Sequence, residues 1–396
     1  MLSAGAWLAA GLPLGRPVAV AAEHHPPVVV VAPQGPADAV FIWRRDACEK
    51  IDTPDAPARA FRDAAGMIHL IAAHYVAREM IGRTLDQVRH RCDVAFASAL
   101  GRQYESHRNH EWLSGLYTAD GITVHALVHN EFHGADYPGL CPLAGTYDCW
   151  WNSVTYAVST DRGYHFHDSA IGNHVVAALP YPYSGARSEP AGYFAPSNIV
   201  TMDGQFYAMV KATAYRSQQA GSCLIRTATL DQAGAWRAWD GDGFTVSLSE
   251  GGPSGGDGLT ASHVCAPVAN VSLGDVGGIA RDETTGAFVA VMVAMLPDDA
   301  GRRVCGFWAT ASFDLTDWSS PSLVAADPAG ASTCDPASDG YPSILDPDSK
   351  QRNFDTFGST PYLYFVRSNL ADPPYDRQLM RQRVTISIRT DPPAGR

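Results

Sequence analysis

Between Trp112 and Gly134 the chain reads WLSGLYTADGITVHALVHNEFHG, two alternating runs joined at an Asp-Gly pair. Alternation with period two is the mark of a strand, whose residues i and i+2 share a face. The second run places Val124, Ala126, Val128 and Phe132 on one side, and His125, Leu127, His129, Glu131 and His133 on the other. Four more segments share this hairpin form: ARAFRDAAGMIHLIAAHY, SNIVTMDGQFYAMVKATAY, GGIARDETTGAFVAVMVAML, and YPSILDP followed by GSTPYLYFVRSN. Their turn glycines are Gly66, Gly121, Gly204, Gly286 and Gly358, because glycine accepts the positive φ of a tight turn without steric cost.

A third strand follows each hairpin, in VAFASAL, NSVTYAVST, SCLIRTATL, GFWATASF and QLMRQRVTISI. Fourth strands are visible in AWRAWDG and PSLVAAD, and helical periodicity is confined to a turn or two near RTLDQVRHRC. Neighbouring turn glycines lie 55 to 83 residues apart, too far for the hairpins of a two-sheet sandwich. The pattern predicts an all-β, five-bladed β-propeller, its last blade completed by the N-terminal run AVFIWRR. The segment STDRGYHF, Ser159 to Phe166, has the Ser-x-Asp-x-Gly-x-x-Phe form of an Asp-box turn, in which Asp161 serves the local backbone.

In such a ring, residues entering each inner strand and leaving the second strand meet at one mouth of the central channel. Eleven positions before four of the turn glycines stand Asp55, His110, Tyr193 and Asp275, and Glu111 adjoins His110. The exits of the second strands carry His74, Tyr75, His129, Glu131, Tyr215, Arg367 and Asn369. Histidines 125, 129 and 133 are spread by about 7 Å per two residues of strand, so one metal ion is not expected to reach all three, and no catalytic metal is expected. Trp112, Trp150, Trp151, Tyr193, Phe194 and Tyr341 suit a depression that stacks sugars.

Composition narrows this picture. Apolar residues at 46% against 18% charged allow a large core, and the net charge of −12 argues against a nucleic-acid partner or an anionic membrane. Residues 1–22 end in AVAA and are expected to be a signal peptide, leaving 23–396 as one catalytic domain, secreted or periplasmic. Eight cysteines without a C-x-x-C pair fit disulfides, and pairing neighbours in sequence would keep each bridge local, although 105 patterns are open.

The stretch DAPARAFRD, the five hairpins, YFAPSNIV, and YPSILDP with YLYFVR resemble the five-bladed-propeller glycoside hydrolases, the arabinanase, β-xylosidase and invertase superfamily. The resemblance covers roughly residues 50–390 and implies a hydrolase of poly- or oligosaccharides. It implies Asp55 as base or nucleophile, and acid and modulator carboxylates from later blades. Glu131 is taken as the acid and Glu111 as the modulator, with Glu189 a rival acid. Arg59, His74, His129, Trp151, Tyr193, Asn198, Lys211, Asp275, Tyr341 and Arg367 are expected to bind substrate. No cofactor is required, with room for a structural calcium held by carboxylates near the axis. Two other readings compete. A polysaccharide lyase would use His129 or Tyr193 as base, with Arg59, Lys211, Arg226 or Arg367 neutralising a uronate. A sugar-binding propeller would have no turnover.

Overall fold

The structure is a computed structural model. It describes residues 26–389 except 144, 146, 171, 250–262, 331–333, 335–337 and 370–374, so the expected leader over 1–22 lies outside the described residues. Five antiparallel blades are present. Blade I pairs Arg59–Arg62, Ile68–Ile71, Val76–Gly82 and Arg89–Ala97 in sequence order. Blade II pairs His110–Tyr117, Val124–His133 and Trp150–Ser159, with the short strands His167–Asp168 and Val175–Ala177 on its outer side.

Blade III has an interrupted inner strand, Ala191–Phe194 and Val200–Met202, followed by Gln205–Ala212, Gly221–Thr227, Arg237–Trp239 and Phe244–Val246. Blade IV is Asp275–Asp282, Phe288–Pro297, Arg303–Ser312 and Ser322–Ala326. Blade V takes Asp339–Leu345, Tyr362–Ser368 and Arg377–Arg389 from the C-terminal part, and Val28–Ile42 from the N-terminal part. That last pairing, Val28 to Arg389 through Ile42 to Gln378, fastens one end of the chain to the other.

Apolar faces of neighbouring blades pack in pairs around a closed ring. Phe61 and Ile71 meet Leu113 and Val128 between blades I and II. Trp151 and Val154 meet Val210 and Ile225 between II and III, and Met209 and Leu224 meet Ile279 and Phe288 between III and IV. Val289 and Phe307 meet Leu363 and Phe365 between IV and V, and Tyr364 and Leu379 meet Ile68 and Leu70 between V and I. Each blade thus buries both faces, which is why its central strands are apolar on both sides.

Four of the five turn glycines hold positive φ, between +72° and +80° at Gly66, Gly121, Gly204 and Gly286. The fifth connection is different. Between Asp346 and Pro361 the chain makes an excursion that lays Thr356–Phe357 parallel to the inner strand of blade IV and sends Arg352 to the Arg62 and Asp63 carbonyls of blade I. Gly358 there donates its N–H to Asp346 Oδ2 at 2.6 Å rather than forming the turn. RTLDQVRHRC also departs from expectation. It is a turn leading into the outer strand Arg89–Ala97, and its polar residues stay exposed because an outermost strand has little to cover them.

The Asp-box turn forms as expected. Ser159 Oγ donates to Asp161 Oδ1 at 2.7 Å and accepts the Gly163 N–H, while Asp161 accepts the His165 N–H. A second turn of this design, Ser312 to Trp318, is built in blade IV around Ser312 and Asp314, with Leu315 at φ +67°. The eight cysteines form Cys48–Cys92, Cys141–Cys149, Cys223–Cys265 and Cys305–Cys334, each bridge joining neighbours in sequence. No described helix is long and apolar enough to cross a membrane.

The ring's centre is held by Arg59. Its guanidinium, fully enclosed, donates to the Ser114 carbonyl of blade II at 2.5 Å, Gly277 of blade IV at 2.8 Å and Pro196 of blade III at 3.4 Å. Burial pulls its pKa down to about 9, and the carbonyls supply the compensating partners that a buried charge requires.

Candidate active site

At one mouth of the ring, Asp55 is presented by the approach to blade I, its backbone N–H bonded to the Ala72 carbonyl at 3.1 Å. Four groups from three blades converge on its carboxylate. Trp112 Nε1 of blade II donates to Oδ2 at 3.2 Å, and the Tyr341 hydroxyl of blade V donates to Oδ1 at 3.2 Å. Arg377, also of blade V, donates to Oδ1. His74 Nε2 stands 3.3 Å from Oδ2. The Tyr75 backbone N–H donates to His74 Nδ1 at 2.8 Å, so the neutral ring carries its proton on Nε2, toward Asp55. Burial keeps the ring neutral, with a pKa pulled down to about 4. Four donors facing one carboxyl describe an acceptor-only, ionised group. Tyr341 reaches it from a left-handed backbone, φ +54°, a cost that structures tolerate at functional sites.

Glu131 occupies the adjoining part of the mouth at the exit of the second strand of blade II. Its Oε2 lies 2.8 Å from His133 Nε2 and its Oε1 3.4 Å from His129 Nε2. Burial works against its charge, but His129, His133 and His110 outweigh it and hold the carboxyl below the ordinary glutamate range. Burial likewise lowers the pKa of His129. Trp112 separates the two carboxylates: its indole N–H serves Asp55 while its ring lies 5.6 Å from the His129 ring and 5.3 Å from that of His74. Contacts run from Asp55 through His74, Trp112 and His129 to Glu131, so both carboxylates border the same aromatic floor.

The rim is completed by Lys211 of blade III, whose Nζ bonds Asp275 of blade IV at 2.5 Å and lies 5.1 Å from the Phe194 ring. Phe194 in turn stacks on His129 at 5.9 Å. Arg367 is held by Asp339 through two hydrogen bonds of 2.8 and 2.7 Å on blade V.

Several expected site residues lie elsewhere. Arg59 is the axial tie described above, and cannot reach substrate. Trp151 is fully buried between Tyr104 and Tyr215, whereas Trp150 faces the mouth and stacks on His133 at 3.9 Å. Strand register is the reason, since Trp150 pairs with His133 and Trp151 with the core residue Phe132. Tyr193 is fully buried with its hydroxyl bonded to Gln218 at 2.6 Å. Asn198 spends its amide on Ile279, donating to the carbonyl at 2.7 Å and accepting the N–H at 2.8 Å. Tyr193 is thus spent within blade III, and Asn198 ties blade III to blade IV.

Glu111 alternates with His110 and points away from the mouth, bonding Ala99 N–H at 3.1 Å; burial, aided by Asp168, pushes its pKa up to about 8. The exposed Glu189 meets Arg187 through its backbone carbonyl. His125 is at the far end of its strand, against the Tyr156 hydroxyl at 2.7 Å. Arg377 is the functional residue that sequence reasoning missed; it opens a strand with no turn or motif beside it.

The axial carbonyls of Ser114, Gly277 and Pro196 receive the Arg59 guanidinium, so a calcium near the axis would have to be held by other groups.

No family model matches the chain, and no curated protein matches it. Solved structures that it is similar to include a Cellvibrio cellulosa α-L-arabinanase complexed with arabinohexaose, 14% identical, with 84% of this chain and 92% of that one covered at a TM-score of 0.46. An α-L-arabinofuranosidase from Lactobacillus brevis is 11% identical over 87% of this chain and 94% of its own, at a TM-score of 0.46. A sucrose-6-phosphate hydrolase from Lactobacillus gasseri is 10% identical, with 86% and 62% covered and a TM-score of 0.47.

Proposed function

We propose that the chain is a glycoside hydrolase in which Asp55 and Glu131 act on one glycosidic bond of a poly- or oligosaccharide. The observation that carries this reading is the meeting of two carboxylates from different blades on either side of Trp112. Asp55, fixed by donors, is the base or nucleophile. Glu131, which its histidines hold below the ordinary glutamate range, serves as the second carboxylate and not as the protonated acid expected from the sequence. The proton for the leaving oxygen comes from the imidazoles it pairs with. Trp112, Phe194, Tyr341 and Trp150 supply apolar faces for sugar rings. Four disulfides support an oxidising compartment, hence a secreted or periplasmic enzyme.

The lyase reading loses its cations. Arg59 is spent on the axis, Arg367 on Asp339, Lys211 on Asp275 and Arg377 on Asp55, while Arg226 packs over Phe244 at 4.3 Å. Each cation that the lyase would use thus already has a partner, which favours the hydrolase reading.

A screen of plant and bacterial glycans tests the proposal, reading reducing ends and ultraviolet-absorbing unsaturated product together. A hydrolase releases reducing ends without the unsaturated product. A lyase gives both, and a binding module retains a glycan without releasing either.

A further inference from the structure

His110 begins the inner strand of blade II, His133 ends its second strand, and Asp136 closes the short 3-10 turn Gly134–Asp136 that follows. His110 Nε2 and His133 Nδ1 approach the same oxygen, Asp136 Oδ2, at 3.9 and 3.8 Å. Both separations exceed a hydrogen bond. They are close to the spacing of about 3.3–3.5 Å between donor atoms that share a tetrahedral zinc with bonds near 2.0–2.2 Å. His133 carries the rest of a metal-site pattern, because its other nitrogen meets the Glu131 carboxylate at 2.8 Å. A ligating histidine commonly hands its second N–H to a carboxylate, which fixes the tautomer that leaves the first nitrogen free for metal.

We propose that His110, His133 and Asp136 bind a divalent cation of the zinc class, with a fourth position open to solvent. Two imidazoles and one carboxylate favour zinc and its first-row neighbours over calcium or magnesium. The rings stack at 4.4 Å with 18° between planes, so binding turns His110 about its Cβ–Cγ bond; Asp136, half exposed on its turn, closes the remaining gap. A second trio of ligand types, Cys48, Asp52 and His90, is not competent, because the Cys48 sulfur is in a disulfide and His90 Nε2 is bonded to Asp52 at 2.8 Å. The site shares His133 with the Glu131 arm, so its test reads metal binding and not turnover; the expectation of no metal came from His125, His129 and His133, which overlap with it at His133 alone.

The test is titration of the full chain, stripped with chelator, with cobalt(II) followed by absorbance, then displacement by zinc followed by calorimetry. One equivalent with the visible bands of tetrahedral cobalt is expected. H110A and the exposed-turn variant D136N should each weaken it at least tenfold, with unchanged melting of the metal-free protein, and H90Q should leave it intact. Absence of saturable binding to the wild type would overturn the proposal. So would binding that survives both H110A and D136N, or that disappears in H90Q.

Discussion

The carboxylate of Asp55, in blade I, accepts a hydrogen bond from the guanidinium of Arg377, in blade V, across the seam where the ring closes. Arg377 is mostly buried, and burial draws its pKa down to about 10. It contacts the carboxylate, so its role is to orient Asp55. R377M is expected to lower kcat about 100-fold, the scale of a misplaced catalytic group, with KM moved much less. Steady-state kinetics decide this; a raised KM with kcat unchanged would make Arg377 a substrate-binding group instead.

Closure of the ring should be a condition of activity. Val28–Ile42 is the outermost strand of blade V and pairs along Arg377–Arg389, covering Val384 and Met380 with Val29 and Val31. Replacing the buried Val31 by Asp places an unpaired charge in that face and is expected to destabilise the protein by about 3 kcal/mol or more. Denaturant unfolding measures the loss. A change within about 0.5 kcal/mol would show that the seam contributes little.

Arg59 ties blades II, III and IV to blade I through carbonyls. R59M keeps the volume and leaves those acceptors without their donor, at an expected cost of about 1–3 kcal/mol in denaturant unfolding. Because the guanidinium already serves the axial carbonyls, calcium added to the chelator-stripped protein should not raise the midpoint. A calcium-dependent rise would show that the axis holds an ion after all.

Histidine 107 sets an acid limit on stability. Burial, with the neighbouring His174, draws its pKa from 6.5 down to about 4, and its Nδ1 lies 3.0 Å from Ser153 Oγ. Between those values the unfolded chain binds the proton and the folded one does not. The contribution is therefore complete above pH 6.5 and falls away as pH drops toward 4, by up to about 3 kcal/mol. His174 shifts in the same direction. H107N, suited to the left-handed backbone at φ +48°, should flatten this slope in melts run from pH 7 to 4, leaving the part due to His174. A slope identical to wild type would remove His107 from the account.

Much of the fold was legible because hairpins of alternating residues around turn glycines survive in the sequence, and the AVFI of AVFIWRR ends the strand that closes the ring, although its WRR belongs to the helical turn Trp43–Asp46 and the strand itself begins at Val28. Strands without that signal were lost. Val76–Gly82, the third strand of blade I, was passed over, so that VAFASAL falls in the fourth strand, Arg89–Ala97, rather than the third; and the excursion from Asp346 to Pro361 replaces a tight turn. The second Asp-type turn was hidden because it is one residue shorter and uses Leu315 at positive φ.

Site residues followed the same physics. Asp55 and Glu131 were found because strand entries and exits converge at a mouth. Trp151 and Glu111 were misplaced by one position, since strand parity decides which face a residue joins. Arg59 was expected to bind substrate, but only the three-dimensional ring shows the axis that it fills.

The central claim is that Asp55 and Glu131 cooperate on one bond, and the kinetics of D55N and E131Q on the best glycan from the screen test it most directly. Each variant is expected to retain glycan binding and thermal stability while kcat falls at least 100-fold, the lower end of what a positioned acid or base contributes. Undiminished release of reducing ends by folded D55N or E131Q would contradict the account.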